Sequence, residues 1–433
     1  MTTLAKTNAI ASFLSVHGIG VVCALAAGVC LGAAEAPTKL VNSGLSPYAI
    51  SLCMVAGVFT ARWTVPTLLK GTRFVFADLA LNKHLILNAV LAGMLWAVAN
   101  TLTVFAIRDV GLTIAFPLWN TNSLVGILWG RLLFGELKGA STKNVIKVVV
   151  GAAAIVVAAV MLGFSTINSS GTHASHAVGG ILAAAGASLM WGTMYVPYRK
   201  AYISGMNPLS FVTIFTIGEL GTCFALVLAL DGGTKAAIFH SPETMHLIFW
   251  LFLGGFVWVI GDLFQQFATK YLGIGRAIPL SNTNQLWGLA WGALVFGELA
   301  HADWSHRLLV VAGSVVMILG ALAVSTAVAT ARENQSINEA LLRECCRYNL
   351  DYDRVLQSFS GTSLDERTDP KDRRSWWDYA IVFTAVGVFV YLGVKAKVPS
   401  LSMDFAWLSV LVVILVAAAL LSGWGLWKAT RFS

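Results

Sequence analysis

Residues 96–137 read WAVANTLTVFAIRDVGLTIAFPLWNTNSLVGILWGRLLFGEL, and residues 258–299 repeat much of this string at one constant offset. The identities that fall in register without a gap are Trp96 with Trp258, Gly111 with Gly273, Ala115 with Ala277, Pro117 with Pro279, Asn120-Thr121-Asn122 with Asn282-Thr283-Asn284, Trp129-Gly130 with Trp291-Gly292, and Phe134-Gly135-Glu136-Leu137 with Phe296-Gly297-Glu298-Leu299. At nearly the same offset, Gly32, Pro37, Pro47 and Gly57 match Gly192, Pro197, Pro208 and Gly218. Many identities at one spacing indicate an internal duplication, so we interpret the chain as two related halves of about 160 residues.

The composition places both halves in a membrane. Hydrophobic residues make up 57% of the chain and charged residues 12%, against about 25% charged residues in a typical soluble protein. The mean hydropathy is +0.75. Apolar runs of about 20 residues recur, and each is long enough to cross the hydrocarbon core as a helix. Lipid offers no partner for an open backbone, and the short alternating segments of a membrane barrel are absent, so the spans are predicted to be helices.

The predicted fold class is an all-α membrane protein, a ten-helix bundle of two inverted five-helix repeats plus two extra C-terminal transmembrane helices, 12 in total. The predicted spans are 14–36, 47–69, 85–107, 112–135, 144–163, 178–198, 208–230, 246–269, 275–297, 307–328, 377–395 and 404–427. The predicted units are a cytoplasmic N-terminus (1–13), the first repeat (14–163), an outside loop (164–177), the second repeat (178–329), a cytoplasmic segment (330–375) and the added helix pair (376–433).

The orientation follows from the basic residues in the loops. With the N-terminus inside, 22 of the 29 Lys and Arg residues lie in inside loops and six in outside loops, while Arg62 lies within a span. Such an excess marks the cytoplasmic side, so both chain ends are predicted to be cytoplasmic. Because five is an odd number, the second half must enter the membrane the opposite way up. Inverted repeats of this kind recur in secondary transporters, which bind their substrate near the midplane between the halves.

The sequence also excludes several classes of protein. The net charge of +8 is explained by Lys and Arg in cytoplasmic loops, so we expect a lipid bilayer and no nucleic acid as a partner. The six cysteines show no metal-like spacing. Phosphate-binding glycine loops and nucleophile–base patterns are absent, so we expect no cofactor, no ATP hydrolysis and no enzyme activity. The first apolar run is full length, and we expect no cleavable signal peptide.

The repeated N-T-N strings are the first candidate site. Pro117 and Pro279 are expected to kink or open the helices shortly before these strings, because proline removes a backbone donor. Open backbone is tolerated in a membrane where it is packed in protein or lines a cavity. The asparagines are Asn120, Asn122, Asn282 and Asn284. They either connect helices by hydrogen bonds or bind a polar solute, since each amide offers donors and an acceptor.

Aromatic residues extend this candidate site. Trp96 and Trp258 lie about one helical turn before Asn100 and Asp262, and therefore on the same helix faces. An indole beside an amide or a carboxylate suits a sugar, which has both apolar faces and hydroxyl groups. Membrane tryptophans also occur in the interfacial belt, and this alternative stays open. The predicted substrate-binding residues are Trp96, Asn100, Trp119, Asn120, Asn122, Trp258, Asp262, Gln266, Asn282 and Asn284.

Ionisable residues within the spans are the third feature. Each costs roughly 2.5–3.5 kcal/mol at a helix centre, so it should face a cavity or a partner. Asp262, Glu219 and Glu35 are the proton-coupling candidates, and Arg62 is the candidate buried charge partner. The alternative is a purely structural pair of Arg62 with Glu219 or Glu35. Glu136 and Glu298 end equivalent helices in both halves and are interpreted as caps rather than coupling residues.

These strings resemble the drug/metabolite transporter superfamily, which has ten helices as five plus five, a proline after the short turn and F-G-E-L at the helix end. The strings A-F-P-L-W-N-T-N and A-I-P-L-S-N-T-N resemble its sugar-porter branch, with the bacterial glucose and ribose uptake proteins and the rhamnose–proton symporter. They are also similar to a group that includes the plant ureide permeases. The resemblance covers about residues 10–330 and implies proton-coupled uptake of a small polar solute. Residues 330–433 depart from the family pattern, which ends after its tenth helix.

The C-terminal part allows several interpretations. Leu341, Leu342, Cys345 and Leu350 form a partial helical stripe, so residues 333–360 are either an amphipathic hairpin on the cytoplasmic face or a linker. The last two spans carry almost no charge within the membrane and are interpreted as packing surface or as the contact of a homo-oligomer, not as part of the solute path.

The sequence thus predicts a secondary active transporter in the inner membrane of a bacterium, taking up a sugar-like solute with protons by alternating access. Asp262 or Glu219 would carry the proton, and joint binding of solute and proton would neutralise the site and permit the halves to rock. The alternatives are ureide or nucleobase uptake, efflux of drugs or metabolites with Glu35 essential, and a membrane sensor that does not transport.

Overall fold

The computed structural model of the chain describes residues 2–34, 36–39, 45–110, 115, 118–164, 177–240, 244–297, 303–360, 374–397 and 403–432. Throughout these ranges the regular structure is helical. Ten of the described helices are long and apolar enough to cross a membrane. The chain is therefore an integral membrane protein with an all-α fold.

The helices are labelled here in chain order. They are α1 (Thr2–Ala34), α2 (Pro47–Leu69), α3 (Thr72–Leu81), α4 (Ile86–Val110), α5 (Asn122–Phe134), α6 (Thr142–Phe164), α7 (Ala177–Ile203), α8 (Pro208–Leu230), α9 (Thr244–Leu272), α10 (Ile274–Ser281), α11 (Asn284–Ala290), α12 (Trp304–Ser325), α13 (Ala331–Tyr348), α14 (Tyr352–Ser360), α15 (Trp376–Lys395) and α16 (Phe405–Thr430). Short turns lie at Ala36–Lys39, Lys83–Leu85, Gly233–Lys235 and Ala237–His240, and a π-helical turn lies at Trp291–Val295.

The span predicted at 275–297 is not one helix. It is divided into α10, α11 and the π-helical turn, with an interruption at Asn282 and Thr283. Pro279 lies inside α10, three residues before this interruption, and lacks the N–H that a continuous helix would use. In the other half, Pro117 and Gly111 lie outside the described residues, and α5 begins at Asn122. Because of these two regions, the total of twelve spans stays a prediction.

Packing between helices follows the sequence repeat. In the repeat, α1 corresponds to α7 and α9 corresponds to α4. Helix α1 packs along α9, and α7 likewise packs along α4. The contact of α2 with α9 has its counterpart in the contact of α8 with α4. The last helices of the two halves, α6 and α12, pack against each other. The two halves therefore interlock rather than forming separate bundles.

Two glycines that match in the repeat lie at close crossings of these helices. A Cβ atom on Gly57 of α2 would lie 2.0 Å from the carbonyl oxygen of Phe252 on α9. A Cβ atom on Gly218 of α8 would lie 2.1 Å from the carbonyl oxygen of Val90 on α4. Any larger residue would collide with backbone, so glycine permits these helix crossings.

The hydrophilic segment forms a docked hairpin instead of a linker. Its two helices, α13 and α14, bury Leu341, Cys345 and Val355 in the main apolar core cluster. The remaining surface of α13 is rich in exposed charged side chains, as an amphipathic helix requires. Residues 331–360 are therefore a docked hairpin, as predicted, while its cytoplasmic location stays a prediction.

The added pair packs on the outside of the preceding helices. Helix α15 contacts α2 and α9, and α16 contacts α1 and the π-helical turn. Arg374 donates hydrogen bonds to the carbonyl oxygens of Thr67 (2.5 Å) and Leu68 (2.9 Å) at the end of α2. Large apolar side chains such as Val413 and Leu421 remain exposed on α16. This surface suits contact with lipid, and its use in a homo-oligomer stays a prediction.

Candidate functional site

Arg62 lies in the interior of α2 between two carboxylates from the other half of the chain. Its Nη2 atom is 2.9 Å from Oδ2 of Asp262 on α9 and 3.2 Å from Oε1 of Glu219 on α8. All three side chains are fully buried. A buried charge that loses its partner is strongly destabilising, so this triad holds three helices together. It unites the predicted charge partner Arg62 with two of the three proton-coupling candidates, while Glu35 lies outside the described residues.

Gln266 extends the triad along α9. Its Nε2 atom donates to both carboxylate oxygens of Asp262, at 3.1 and 3.2 Å. Its Oε1 atom accepts a hydrogen bond from the hydroxyl of Tyr202 on α7. The spacing of four residues places Gln266 directly beside Asp262 on the helix face. Sequence reasoning missed Tyr202, which has no counterpart in the repeated strings that could have pointed to it.

Three indole rings lie next to the triad. The Trp96 and Trp258 ring centroids are 5.0 Å apart, and Trp191 lies 5.7 and 6.1 Å from them. The Arg62 guanidinium carbon is 5.7 Å from the Trp258 ring centroid and 4.1 Å from that of Phe215. The Nε1 atom of Trp96 is buried and has no hydrogen-bond partner within the described ranges. Trp191 was missed, although it directly precedes Gly192, one of the repeat matches.

The asparagines form a second polar cluster at the break between α10 and α11 and the start of α5. Asn282 Nδ2 donates to Oδ1 of Asn122 at 2.9 Å and to Oγ of Ser123 at 2.7 Å, and it lies 3.4 Å from the carbonyl oxygen of Asn120. Asn120, Asn122 and Asn282 are buried. This cluster joins the two halves of the chain where both helices are irregular.

The asparagine cluster is not symmetric. In the repeat, Asn120 corresponds to Asn282 and Asn122 to Asn284. The symmetric mate of the Asn282–Asn122 hydrogen bond would run from Asn120 Nδ2 to Asn284 Oδ1. Among the described residues, these two atoms are buried and have no hydrogen-bond partner. Buried polar groups are normally paired, so a donor and an acceptor are left available for a ligand.

Asn100 and Trp119 have other neighbours. Asn100 Nδ2 donates to Oγ of Ser51 at 2.7 Å, and Ser51 also contacts Thr101 and Cys223. Thus Asn100, the repeat counterpart of Asp262, takes part in a polar contact between α2 and α4 rather than in an ion pair. Trp119 packs on a small apolar cluster of Ala106, Ala115 and Ala184. The roles of both residues in binding solute stay predictions.

Comparison with known proteins identifies the family. Residues 40–165 and 182–350 match the family model described as "Sugar transport protein", which covers more than half of the chain. The chain belongs to this sugar transport family. The match extends past residue 330, so the departure from the family pattern begins after residue 350 and not at the predicted boundary. Membership of the drug/metabolite transporter superfamily stays a prediction.

Relatives in bacteria carry a consistent name. A protein of Streptococcus pyogenes serotype M1, named "Putative sugar uptake protein", is 41% identical over 80 residues, which cover 18% of this chain and 26% of that protein. A protein of Listeria innocua serovar 6a with the same description is 23% identical over 255 residues, which cover 59% of this chain and 83% of that protein. This chain therefore aligns with about a quarter of the length of the first curated relatives it matches. A solved structure titled "Crystal structure of protein" is similar to this chain with a TM-score of 0.49 at 15% identity. The similarity covers 72% of this chain and 96% of the chain in that structure, and no argument is based on it.

Proposed function

We propose that this protein is a secondary active transporter that takes up a monosaccharide or a similar polyhydroxylated solute together with protons. The sugar transport family and the names of the relatives favour a sugar as the solute. The observation that carries the proposal is the pair of unmatched amide atoms, Asn120 Nδ2 and Asn284 Oδ1, in a buried cluster between the halves. A hydroxyl group can accept a hydrogen bond from the first atom and donate one to the second.

The indole rings supply the complementary apolar surface. Sugars present flat C–H faces as well as hydroxyl groups, and binding sites combine apolar walls with a few placed polar groups. Trp96, Trp191 and Trp258 provide such a wall, and the unpartnered Nε1 atom of Trp96 provides a further donor. These contacts support the assignment of Trp96, Trp258 and the N-T-N asparagines to the solute site.

The charge balance of the triad supports proton coupling. Two carboxylates share one guanidinium, so the triad has one excess negative charge when both acids are ionised. Buried charge without compensation is costly, and a proton on one carboxyl group would neutralise the triad. Asp262 makes the shorter contact to Arg62 and receives two hydrogen bonds from Gln266. Its anion is better stabilised, so we assign the exchangeable proton to Glu219.

Alternating access follows from the arrangement of the halves. Arg62 lies in the first half and both of its carboxylates lie in the second, and the asparagine cluster also joins the halves. Matched helix pairs support a pseudo-two-fold relation between the repeats, and the odd number of helices in each half supports their inversion. Rocking of one half against the other would expose the site to each side in turn. The charge bias in the loops supports an orientation with both termini in the cytoplasm, and the bacterial relatives favour an inner-membrane location.

The test is uptake into proteoliposomes with an imposed pH gradient, using a panel of radiolabelled monosaccharides, ureides and nucleobases. We expect a monosaccharide to accumulate faster with an alkaline interior than without a gradient. The variant Glu219→Gln should abolish this acceleration, and Asp353→Asn, which alters an exposed carboxylate, should leave it intact. Gradient-driven uptake that survives in both Glu219→Gln and Asp262→Asn would reject the coupling mechanism. Uptake of a ureide or a nucleobase alone would reject the sugar assignment.

A further inference from the structure

Glu333 in the first turn of α13 joins the C-terminal hairpin to the broken helix. Its carboxylate accepts hydrogen bonds from both terminal nitrogens of Arg276 on α10, at 2.7 and 2.9 Å. It also accepts one from the backbone N–H of Leu137, just after α5, at 3.1 Å. Glu333 is fully buried. Bidentate pairing of arginine and carboxylate fixes geometry as well as adding energy, so these bonds define the position of α10 relative to α5.

A second buried carboxylate acts at the same place. Oε1 and Oε2 of Glu136 accept hydrogen bonds from the backbone N–H groups of Ile274 (3.0 Å) and Gly275 (2.9 Å). Glu136 thus caps α10, a helix of the other half, where a negative charge at the N-terminus is favourable. Its Oε1 atom is also 3.2 Å from Nε of Arg199 at the end of α7, and Arg199 donates to the carbonyl oxygen of Lys270 at the end of α9. The ends of α5, α7 and α9 and the start of α10 are therefore tied together.

This network adjoins the proposed solute site. Arg276 lies in α10 and Asn282 directly follows this helix, six positions further along the chain, which corresponds to about 9 Å along a helix. The network therefore holds the start of α10, and the asparagine cluster lies at its end. Any opening between α5 and α10 towards this end of the bundle must break the contacts of Glu136 or Glu333.

The hairpin also contacts the core outside the charged network. Thr330 caps α13 and donates to the carbonyl oxygen of Gly139 at 3.0 Å, in the turn after α5. A Cβ atom on Gly135 would lie 3.9 Å from Cβ of Ser336 on α13, and a Cβ atom on Gly205 would lie 3.8 Å from Cβ of Val355 on α14. The hairpin thus contacts the turns that follow α5 and α7, beside the network.

We propose that the α13–α14 hairpin is a releasable latch at the predicted cytoplasmic end of the solute path, and that Glu333 is a positioning residue that holds α10 against α5 while this end is closed. The proposal rests on the proposed transport function and adds a specific inner gate to it. The latch favours the state that opens to the outside, and its release accompanies each delivery of solute to the cytoplasm.

A reversible cross-link tests the latch directly. The pair Gly135→Cys/Ser336→Cys has a Cβ separation within the range of about 3.5–4.5 Å found in disulfides. It should be built in a Cys346→Ser background, because Cys346 is exposed and the other native cysteines are buried. Oxidation should stop uptake into proteoliposomes and leave solute binding from the outside unchanged, and a reductant should restore uptake. The single-cysteine variants are the matched controls. Gly135 and Gly205 both have a positive φ, so should cysteine at Gly135 prevent folding, the point variants below test the latch without replacing a glycine.

Kinetics of point variants distinguish gating from a merely structural role. Glu333→Gln should weaken the outward-open state and thereby raise the KM for external solute at least threefold, with Vmax unchanged or higher, since apparent affinity falls with the population of the competent state. Loss of folded protein would instead lower Vmax with KM unchanged. Arg276→Gln should have the same effect. The double variant Glu333→Gln/Arg276→Gln should raise the KM no more than either single variant does. Glu339→Gln, an exposed residue of the same helix, should have none.

The outcomes separate the two proposals. Full uptake by the cross-linked protein, or a wild-type KM in Glu333→Gln, would overturn the latch proposal. Neither result would contradict the proposed transport function. Absence of uptake by the wild-type protein itself overturns the transport function, and the latch with it.

Discussion

Asn122 Oδ1 and Asn282 Nδ2 are 2.9 Å apart and connect the two N-T-N strings across the repeat. The mate of this bond, between Asn120 and Asn284, leaves its donor and its acceptor unpartnered within the described residues. Two copies of one sequence motif are thus used differently, one for holding the halves together and the other for the proposed solute. This asymmetry makes the roles of the four asparagines separable by mutation.

We predict that replacing the unpartnered asparagines weakens solute binding, whereas replacing the hydrogen-bonded Asn282 lowers stability. Asn120→Ala and Asn284→Ala should weaken solute binding at least tenfold and change the thermal unfolding midpoint little, because no protein contact of the unmatched atoms is lost. Asn282→Ala removes hydrogen bonds to Asn122 and Ser123 and should destabilise the fold by about 1–3 kcal/mol. Thermal unfolding with and without solute measures both. A larger stability loss in Asn120→Ala than in Asn282→Ala would contradict this assignment.

Arg62 is predicted to be the least replaceable member of the charged triad. Arg62→Gln leaves two buried carboxylates close together without a cation and should cost about 3–5 kcal/mol. Glu219→Gln keeps the Arg62–Asp262 pair and should cost less, while retaining solute binding. Thermal unfolding in detergent at neutral pH compares the two variants. If Glu219→Gln is destabilised more than Arg62→Gln, then Arg62 is not the residue that compensates both buried carboxylates.

The same triad predicts how uptake responds to pH. Wild-type uptake should rise as the outside is acidified at constant inside pH, since external protons load Glu219. Glu219→Gln mimics the protonated acid and should exchange solute across the membrane without responding to the gradient. Counterflow of labelled solute at equal pH on both sides provides the measurement. A variant inactive in both exchange and net uptake would show that Glu219 is required for more than the proton.

The helix crossings at glycine are predicted to tolerate no side chain. In Gly218→Ala the new Cβ atom would meet the Val90 carbonyl oxygen at 2.1 Å, so α4 and α8 would have to move apart. We expect a clear loss of stability and of uptake. Gly221→Ala on the same helix is the matched control, because a Cβ atom there has no heavy atom within 4 Å. Equal unfolding midpoints for the two variants would rule out the close crossing.

The added pair α15–α16 is predicted to be dispensable for solute binding. It packs outside the core helices and contributes none of the side chains of the triad or the asparagine cluster. A chain that ends after residue 360 should bind solute with wild-type affinity, although with a lower unfolding midpoint. Isothermal titration of the truncated protein tests this. Loss of binding with an intact fold would place the pair in the solute path.

Much of the fold could be read from local features of the sequence. The spans at Pro47–Leu69 and Pro208–Leu230 agree with the prediction to the residue, because proline begins each helix and apolar residues then continue for the thickness of a membrane. The interruption after Pro279 followed from the chemistry of proline. The need of Arg62 for an acidic partner followed from the cost of a charge in lipid.

Other parts of the site could not be derived in this way. The sequence left Glu219 and Glu35 as alternative partners of Arg62 and treated Asp262 separately, whereas Arg62 contacts both Glu219 and Asp262. Trp191 and Tyr202 join the site through α7, outside the repeated strings. The hydrophilic segment was compatible with a linker until its contacts with α10 and α5 were known. Each of these facts depends on which helices become neighbours.

The sequence by itself determined the membrane class, the positions of most helices, the duplication and the residues whose burial needs compensation, because hydropathy, proline and charge act locally along the chain. Tertiary structure alone decided that Asp262 and Glu219 share one arginine, that one pair of asparagines is bonded and the other is not, and that Glu333 reaches Arg276. These contacts join residues far apart in sequence. They depend on helix packing and helix rotation, which the pattern within any single helix does not specify.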